Sequence, residues 1–181
     1  MQERRGPEGA SDDIPLGQLP VLVLEDGSHI VQSIPILRFA GKLAKLYPED
    51  PVKALLVDEA IETVMEAYNS APMDEDPAKK LELRAVWFKT KIPKYFRALE
   101  RMASRSAGPY LLGETFTIAD MILYRQIIVN FGGGGVDGFP SDYVKGFPRL
   151  LSLAQAAEKH PIVQAEIKYQ ADVDAALKAK Q

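Results

Sequence analysis

The 181-residue sequence contains no cysteine. That absence excludes disulfides, thiolate metal sites and cysteine nucleophiles from within the chain. Its only histidines are His29 and His160, too few for a histidine-rich metal cluster. No apolar run approaches the roughly 18 residues needed to cross a bilayer. The opening "MQERRGPEGASDD" has basic residues but no apolar stretch behind them, so it does not read as a secretory signal. A net charge of −3 is too small to steer the chain towards nucleic acid or an anionic membrane. What is present, 46% hydrophobic and 26% charged residues, is the balance of a globular protein. A cytoplasmic location, with neither nucleic acid nor membrane as partner, is the expectation. The length suits one ordinary domain, or a small domain plus a larger one.

Along the chain, residues 1–15 carry Gly, Pro, Ser and Asp without a period and read as a disordered lead-in. Residues 21–24 form a short apolar run, Asp26-Gly27 is a hairpin-turn dipeptide, and residues 28–31 can return as a second strand. Pro20 has no N–H for a ladder and is tolerated where a strand begins. From Ser33 the pattern turns helical, with Ser33 as an N-cap candidate and Ile34, Leu37, Ala40, Gly41 and Ala44 on one side.

Asp50-Pro51 and Asp76-Pro77 each pair a capping residue with proline at the first helical position. The first opens an amphipathic helix with Val52, Leu55, Leu56 and Ala60 as its apolar side. The second opens a long helix to about residue 104, with Val86, Ile92, Phe96, Leu99 and Met102 inward and a kink at Pro93. Thr117 and Asp120 form a capping-box-like start to an apolar helix running through Ile128. The glycine run 132–135 has no preceding strand and no Gly-Lys-Ser/Thr ending, so it reads as a flexible connection and not a phosphate loop. Two or three further helices fit 148–159, 161–169 and the Ala/Lys-rich tail. The outline is one β-hairpin followed by at least five helices. His29 and His160 are isolated and suit surface or cap roles.

Four segments, taken in order, resemble the glutathione S-transferase family. They are "GQLPVL", "QS" after the hairpin, "GPYLLGETFTIAD" and "FPRLLSLAQAAEKHPIV". The tyrosine- or serine-using classes, sigma-like among them, fit best. The resemblance implies an α+β, mostly α chain. Residues 16–47 would be part of a thioredoxin-like glutathione-binding domain, a hairpin plus a helix, and 50–181 the all-helical C-terminal domain.

It also implies a cis bond before Pro20, which exposes the Leu19 backbone, with Gln18 alongside, to an extended peptide. Glutathione is such a peptide, and pairing with it would be β-augmentation on a small scale. Ser33, at a helix start that favours anions, would hold the γ-glutamyl carboxylate with Gln32 beside it. Without the resemblance, a trans proline opening a strand and a plain serine cap explain the same residues. The ligand's amine would meet Glu66 of a second subunit, with Glu62 one turn earlier, although a solvated acidic helix face explains these acids equally. Thr117 and Asp120 would be structural. Trp87, Phe88, Tyr95 and Phe96 read mostly as core, and some could line an apolar substrate pocket beside the thiol.

The family begins with a β-α-β unit whose first strand ends on the thiol-activating tyrosine or serine. Such a unit needs roughly 30 residues, and only 19 precede Pro20. Arg4 and Arg5 are weak stand-ins for the residues that hold the glycine carboxylate, and Ser11 lacks the activating context. The chain is therefore expected to be N-terminally incomplete, without a catalytic residue of its own and inactive by itself. Either it is a fragment of an active enzyme, which the matching glutathione positions favour, or a shortened variant that has lost activity. The expected function is conjugation of the glutathione thiol to small apolar electrophiles, as a homodimer with glutathione as co-substrate and no metal. A non-catalytic module of the same fold, for protein assembly or ligand carriage, is the alternative. An unrelated helical binding domain comes third.

Overall fold

A computed structural model describes residues 14–178, which fall into two units divided between Pro48 and Glu49. The expected lead-in, with Arg4, Arg5 and Ser11, lies outside the described residues except for Ile14 and Pro15. Helices dominate, and the one sheet among the described residues has two strands near the N-terminal end, so the class is α+β and mostly α.

In the first unit, β1 (Val21–Val23) and β2 (His29–Val31) pair antiparallel, with Val21 opposite Val31 and Val23 opposite His29. The turn closes because Gly27 accepts a φ of 84° and the Asp26 carboxylate takes the Ser28 N–H at 2.9 Å. That bond, with the Ser28 side chain, holds the Asp26 carboxyl below its ordinary range. Helix α1 (Ser33–Leu43) follows at once and packs on β2. Its inward side is narrower than the sequence suggests. Gly41 is buried and Ile34 and Leu37 are half-buried, while Ala40 and Ala44 are exposed.

The second unit begins with α2 (Pro51–Asn69), where the Asp50 carboxylate accepts the Lys53 N–H at 2.8 Å. In α3 (Pro77–Thr90), Asp76 does the same for Ala78 at 2.9 Å. The kink expected at Pro93 falls at Lys91, a single residue with helical angles that parts two helices. Helix α3 stops at Thr90 and α4 (Ile92–Ala103) starts afresh beyond Lys91, because Pro93 has no N–H to continue the ladder. Helix α5 (Ile118–Leu123) runs into a π-helical segment, Tyr124–Phe131. Then come a 3₁₀ turn (Ser141–Gly146), α6 (Pro148–Glu158) and α7 (Pro161–Lys178), the last a single helix where two shorter ones also fitted the sequence.

Helix α5 sits centrally, against α2, α6 and the π-helical segment, while α4 packs on α2 and α6. The core comprises Val57, Ile61 and Val64 from α2, Phe96 and Leu99 from α4, Ile118 and Leu123 from α5, and Leu150 and Leu153 from α6. Two expectations about faces are corrected. Val52 and Leu55 point outward at 64% and 67% exposure, since the small residues Ala60 and Ala67 share the buried side of α2 with Val57, Ile61 and Val64. Val86 is also exposed, and Arg84 and Trp87 form the buried side of α3 instead.

The glycine run is not a loose connection. A Cβ on Gly133 would stand 2.6 Å from the Val129 carbonyl oxygen, so the chain turns back tightly over the π-helical segment. Around that turn Phe88, Phe96, Phe131, Phe139, Tyr143 and Phe147 meet edge-on and tilted, with the Phe131 and Phe139 centroids 4.8 Å apart.

Candidate functional site

The hairpin register settles which residues of the first unit lie together. The ladder ends with Val21 opposite Val31, so the residues that adjoin it on the two strands, Pro20 and Gln32, leave the hairpin at the same end. Residues Gln18, Leu19 and Pro20 therefore share one end of the hairpin with Gln32 and Ser33. Gln18 is extended (φ −126°, ψ 146°), the Leu19–Pro20 peptide is cis, and Leu19 is 75% exposed.

Gln32, and not Ser33, occupies the cap position of α1, with φ 78° and ψ 118° and no capping bond from its side chain. This is a correction to the simple serine cap. The positive φ turns the chain sharply from strand to helix, so Ser33 becomes the first helical residue, with its side chain exposed. A glutamine held at such angles is strained by about 1–3 kcal/mol, and strain of this kind concentrates at ligand sites. Pro35 has no N–H, and the Ile36 N–H is turned to the Gln32 carbonyl at 3.3 Å. The N–H groups of Ser33 and Ile34 are left without intrahelical acceptors. The arrangement combines exposed backbone at 18–20 with a hydroxyl and two N–H groups at a helix start. It can hold an extended peptide that carries a carboxylate.

In the second unit, Glu66 is exposed near the C-terminal end of α2, and its Oε1 accepts the Tyr95 hydroxyl hydrogen bond at 2.7 Å. That bond, with burial of the ring, pushes the Tyr95 phenol above its ordinary range. The contact joins residues 29 apart and has no local signature in the sequence. Val52, Leu55, Glu59, Glu62 and Glu66 follow one another at alternating spacings of three and four, a single stripe along α2. Within it, Glu59 is paired with Arg105 at 2.5 Å.

Asp120, at the start of α5, is 1% exposed. Its Oδ2 accepts the Thr117 N–H at 2.8 Å and the Thr117 hydroxyl at 3.0 Å, and its Oδ1 accepts the Leu111 N–H at 2.8 Å. Both halves of the capping box are present, and the threonine hydroxyl also donates to the carboxylate. Burial raises the Asp120 carboxyl above its ordinary range, with the three bonds opposing it. His160 stacks on Phe116 at 3.6 Å, and its Nδ1 accepts the Ile162 N–H at the start of α7.

Two anchors, the buried Arg84 and the half-buried Glu100, carried no signal in the sequence. Arg84 donates to the Pro72 and Asp137 carbonyls, each at 3.1 Å, and Glu100 caps α6 by accepting the Arg149 and Leu150 N–H groups. Trp87 and Phe96 are core, as the spacing suggested. Among the described residues no group of three or more His, Asp or Glu side chains could hold a metal, and no helix is long and apolar enough to cross a membrane.

Residues 62–169 match the family described as "Glutathione S-transferase, C-terminal domain". Glutathione S-transferase 1 of Dianthus caryophyllus is 30% identical over 161 residues, covering 81% of this chain and 66% of its own. Maleylacetoacetate isomerase of Mus musculus is 27% identical over 154 residues, covering 81% and 69%. The chain thus spans about two thirds of the length of these relatives. Among solved structures, rat hPGDS complexed with a quinoline superposes with a TM-score of 0.71 at 22% identity, covering 86% of this chain and 75% of that one. NaGST-2 gives 0.66 at 27% identity, covering 87% and 76%.

Proposed function

Because the chain belongs to the glutathione S-transferase C-terminal domain family, we propose that it binds glutathione and serves conjugation of the thiol to small apolar electrophiles. The hairpin register, which brings Leu19-Pro20 and Gln32-Ser33 to one end, is the observation that carries this reading. Leu19 pairs its backbone with the cysteinyl residue of glutathione, flanked by Gln18 and Pro20. Ser33 and the free N–H groups of α1 take the γ-glutamyl carboxylate, and Gln32 lies beside it. The domain boundaries proposed are a glutathione-binding part at 16–47 and the helical domain at 50–181.

The working form is a homodimer in which Glu66 of one copy meets the γ-glutamyl amine bound by the other. The stripe on α2 supports this, since its exposed apolar end (Val52, Leu55) continues into the acids that end on Glu66. The class proposed is the tyrosine- or serine-using, sigma-like one. No described residue is assigned the role of activating the thiol. Relatives named maleylacetoacetate isomerase favour a second reading, isomerisation of that kind of acid at the same glutathione site.

Calorimetric titration of the chain with glutathione tests the binding reading. Saturable binding is expected, weakened roughly tenfold by Ser33→Ala, the loss of one hydrogen bond to a charged group. Absence of any heat of binding would sink it. Conjugation to a chlorodinitrobenzene, set against isomerisation of maleylacetoacetate, then separates the two chemistries, and neither reaction leaves a binding module.

A further inference from the structure

We infer that Tyr95 is a positioning residue for Glu66, fixing the exposed carboxylate so that its second oxygen meets the ammonium of a γ-glutamyl ligand. This deepens the glutathione reading above and rests on it. An exposed glutamate on a helix ordinarily samples many rotamers, and ordering it opposes binding. Here the Tyr95 ring is buried in α4 and its hydroxyl reaches Oε1 of Glu66 at 2.7 Å, the length of a charge-assisted bond. One oxygen is engaged from the core side, and a carboxylate retains further acceptor sites on the other.

The identity of the donor matters as much as the distance. Glu59, two turns earlier on the same stripe, is met by the Arg105 guanidinium, which neutralises its charge. Glu66 is held by a neutral phenol, which orders the carboxylate without setting a countercharge against it. A phenylalanine would fill the same core space, and the Tyr95 hydroxyl bonds to Glu66 alone among the described residues. The hydroxyl therefore serves the acid and not the packing.

The test compares wild type, Tyr95→Phe, Glu66→Gln and the double variant of the full chain by calorimetry. The ligands are glutathione and its analogue with the γ-glutamyl amine replaced by hydrogen. Tyr95→Phe is expected to weaken glutathione binding three- to tenfold, leave the analogue unchanged, and add nothing once Glu66 is Gln. A melting curve checks that the ring still packs. Equal weakening of both ligands would assign Tyr95 a merely structural role and overturn the inference. So would an unchanged Tyr95→Phe beside a weakened Glu66→Gln, with the glutathione reading left standing. If Glu66→Gln itself is neutral, the role of that acid fails and the inference with it. If wild type binds no glutathione, the whole functional reading fails.

Discussion

Asp120 keeps a carboxylate where water cannot solvate it and offsets the burial with three donors. Asp120→Ala strands two backbone N–H groups and a hydroxyl in the interior. A loss of about 3 kcal/mol is expected, read as a lowered denaturant midpoint at unchanged slope. The pH dependence has a definite sign. Since the folded carboxyl titrates above its unfolded value, the folded state binds the proton more tightly. The associated stability is fully present below the ordinary carboxylate range and is lost as pH rises through the raised folded value. Measured against Asp120→Asn, the wild-type advantage should grow between pH 7 and pH 4. An advantage that shrinks on acidification would mean that the three donors outweigh burial.

At the scale of elements, the starts of α2 and α3 were legible because a capping aspartate and the following proline act within one turn. Asp50 and Asp76 reach N–H groups only three and two residues on. The buried face of α2 was not legible. Its sequence offers apolar residues on two sides, and only contact with α4 and α5 decides that Val57, Ile61 and Val64 go inward while Val52 and Leu55 stay out. The tight packing of the glycine run is hidden for a related reason, since close approach of backbone to backbone leaves no trace in composition. Gly133→Ala should cost roughly 2 kcal/mol, because its Cβ meets carbonyl oxygens that cannot swing aside. Gly146→Ala, where an added Cβ meets nothing within 4 Å, should stay within about 0.5 kcal/mol. Equal melting temperatures for the two variants would remove steric closeness as the reason for the glycines.

For the whole molecule, the order of hairpin, helix and helical bundle was readable because each segment carries its own period and its own stop signals. Among the proposed site residues, Gln18 to Pro20 and Gln32-Ser33 were within reach only through the family resemblance, since the residues by themselves suit a plain strand start and helix cap. The bond between Glu66 and Tyr95 was not, for it depends on how two helices pack. The proposed dimer is testable at this scale. Leu55→Lys should convert a dimeric mass in light scattering to a monomeric one. It should also weaken glutathione binding about as much as Glu66→Gln does, if the acid acts across the interface. A wild-type chain that is monomeric at tens of micromolar, or Leu55→Lys binding glutathione normally, would discard the shared site.

The carboxylate of Asp120 also has a bearing on how the molecule opens. By gripping Leu111 and Thr117 at once, it ties the segment between them to the first turn of α5. The irregular stretch that enters the central helix thus cannot fray separately from it. In hydrogen exchange, the amides of Leu111 and Thr117 are expected in the slowest class, released only when the helical unit unfolds as a whole; faster exchange than in the rest of α5 would contradict this. A loop by geometry is, in its opening free energy, part of the core.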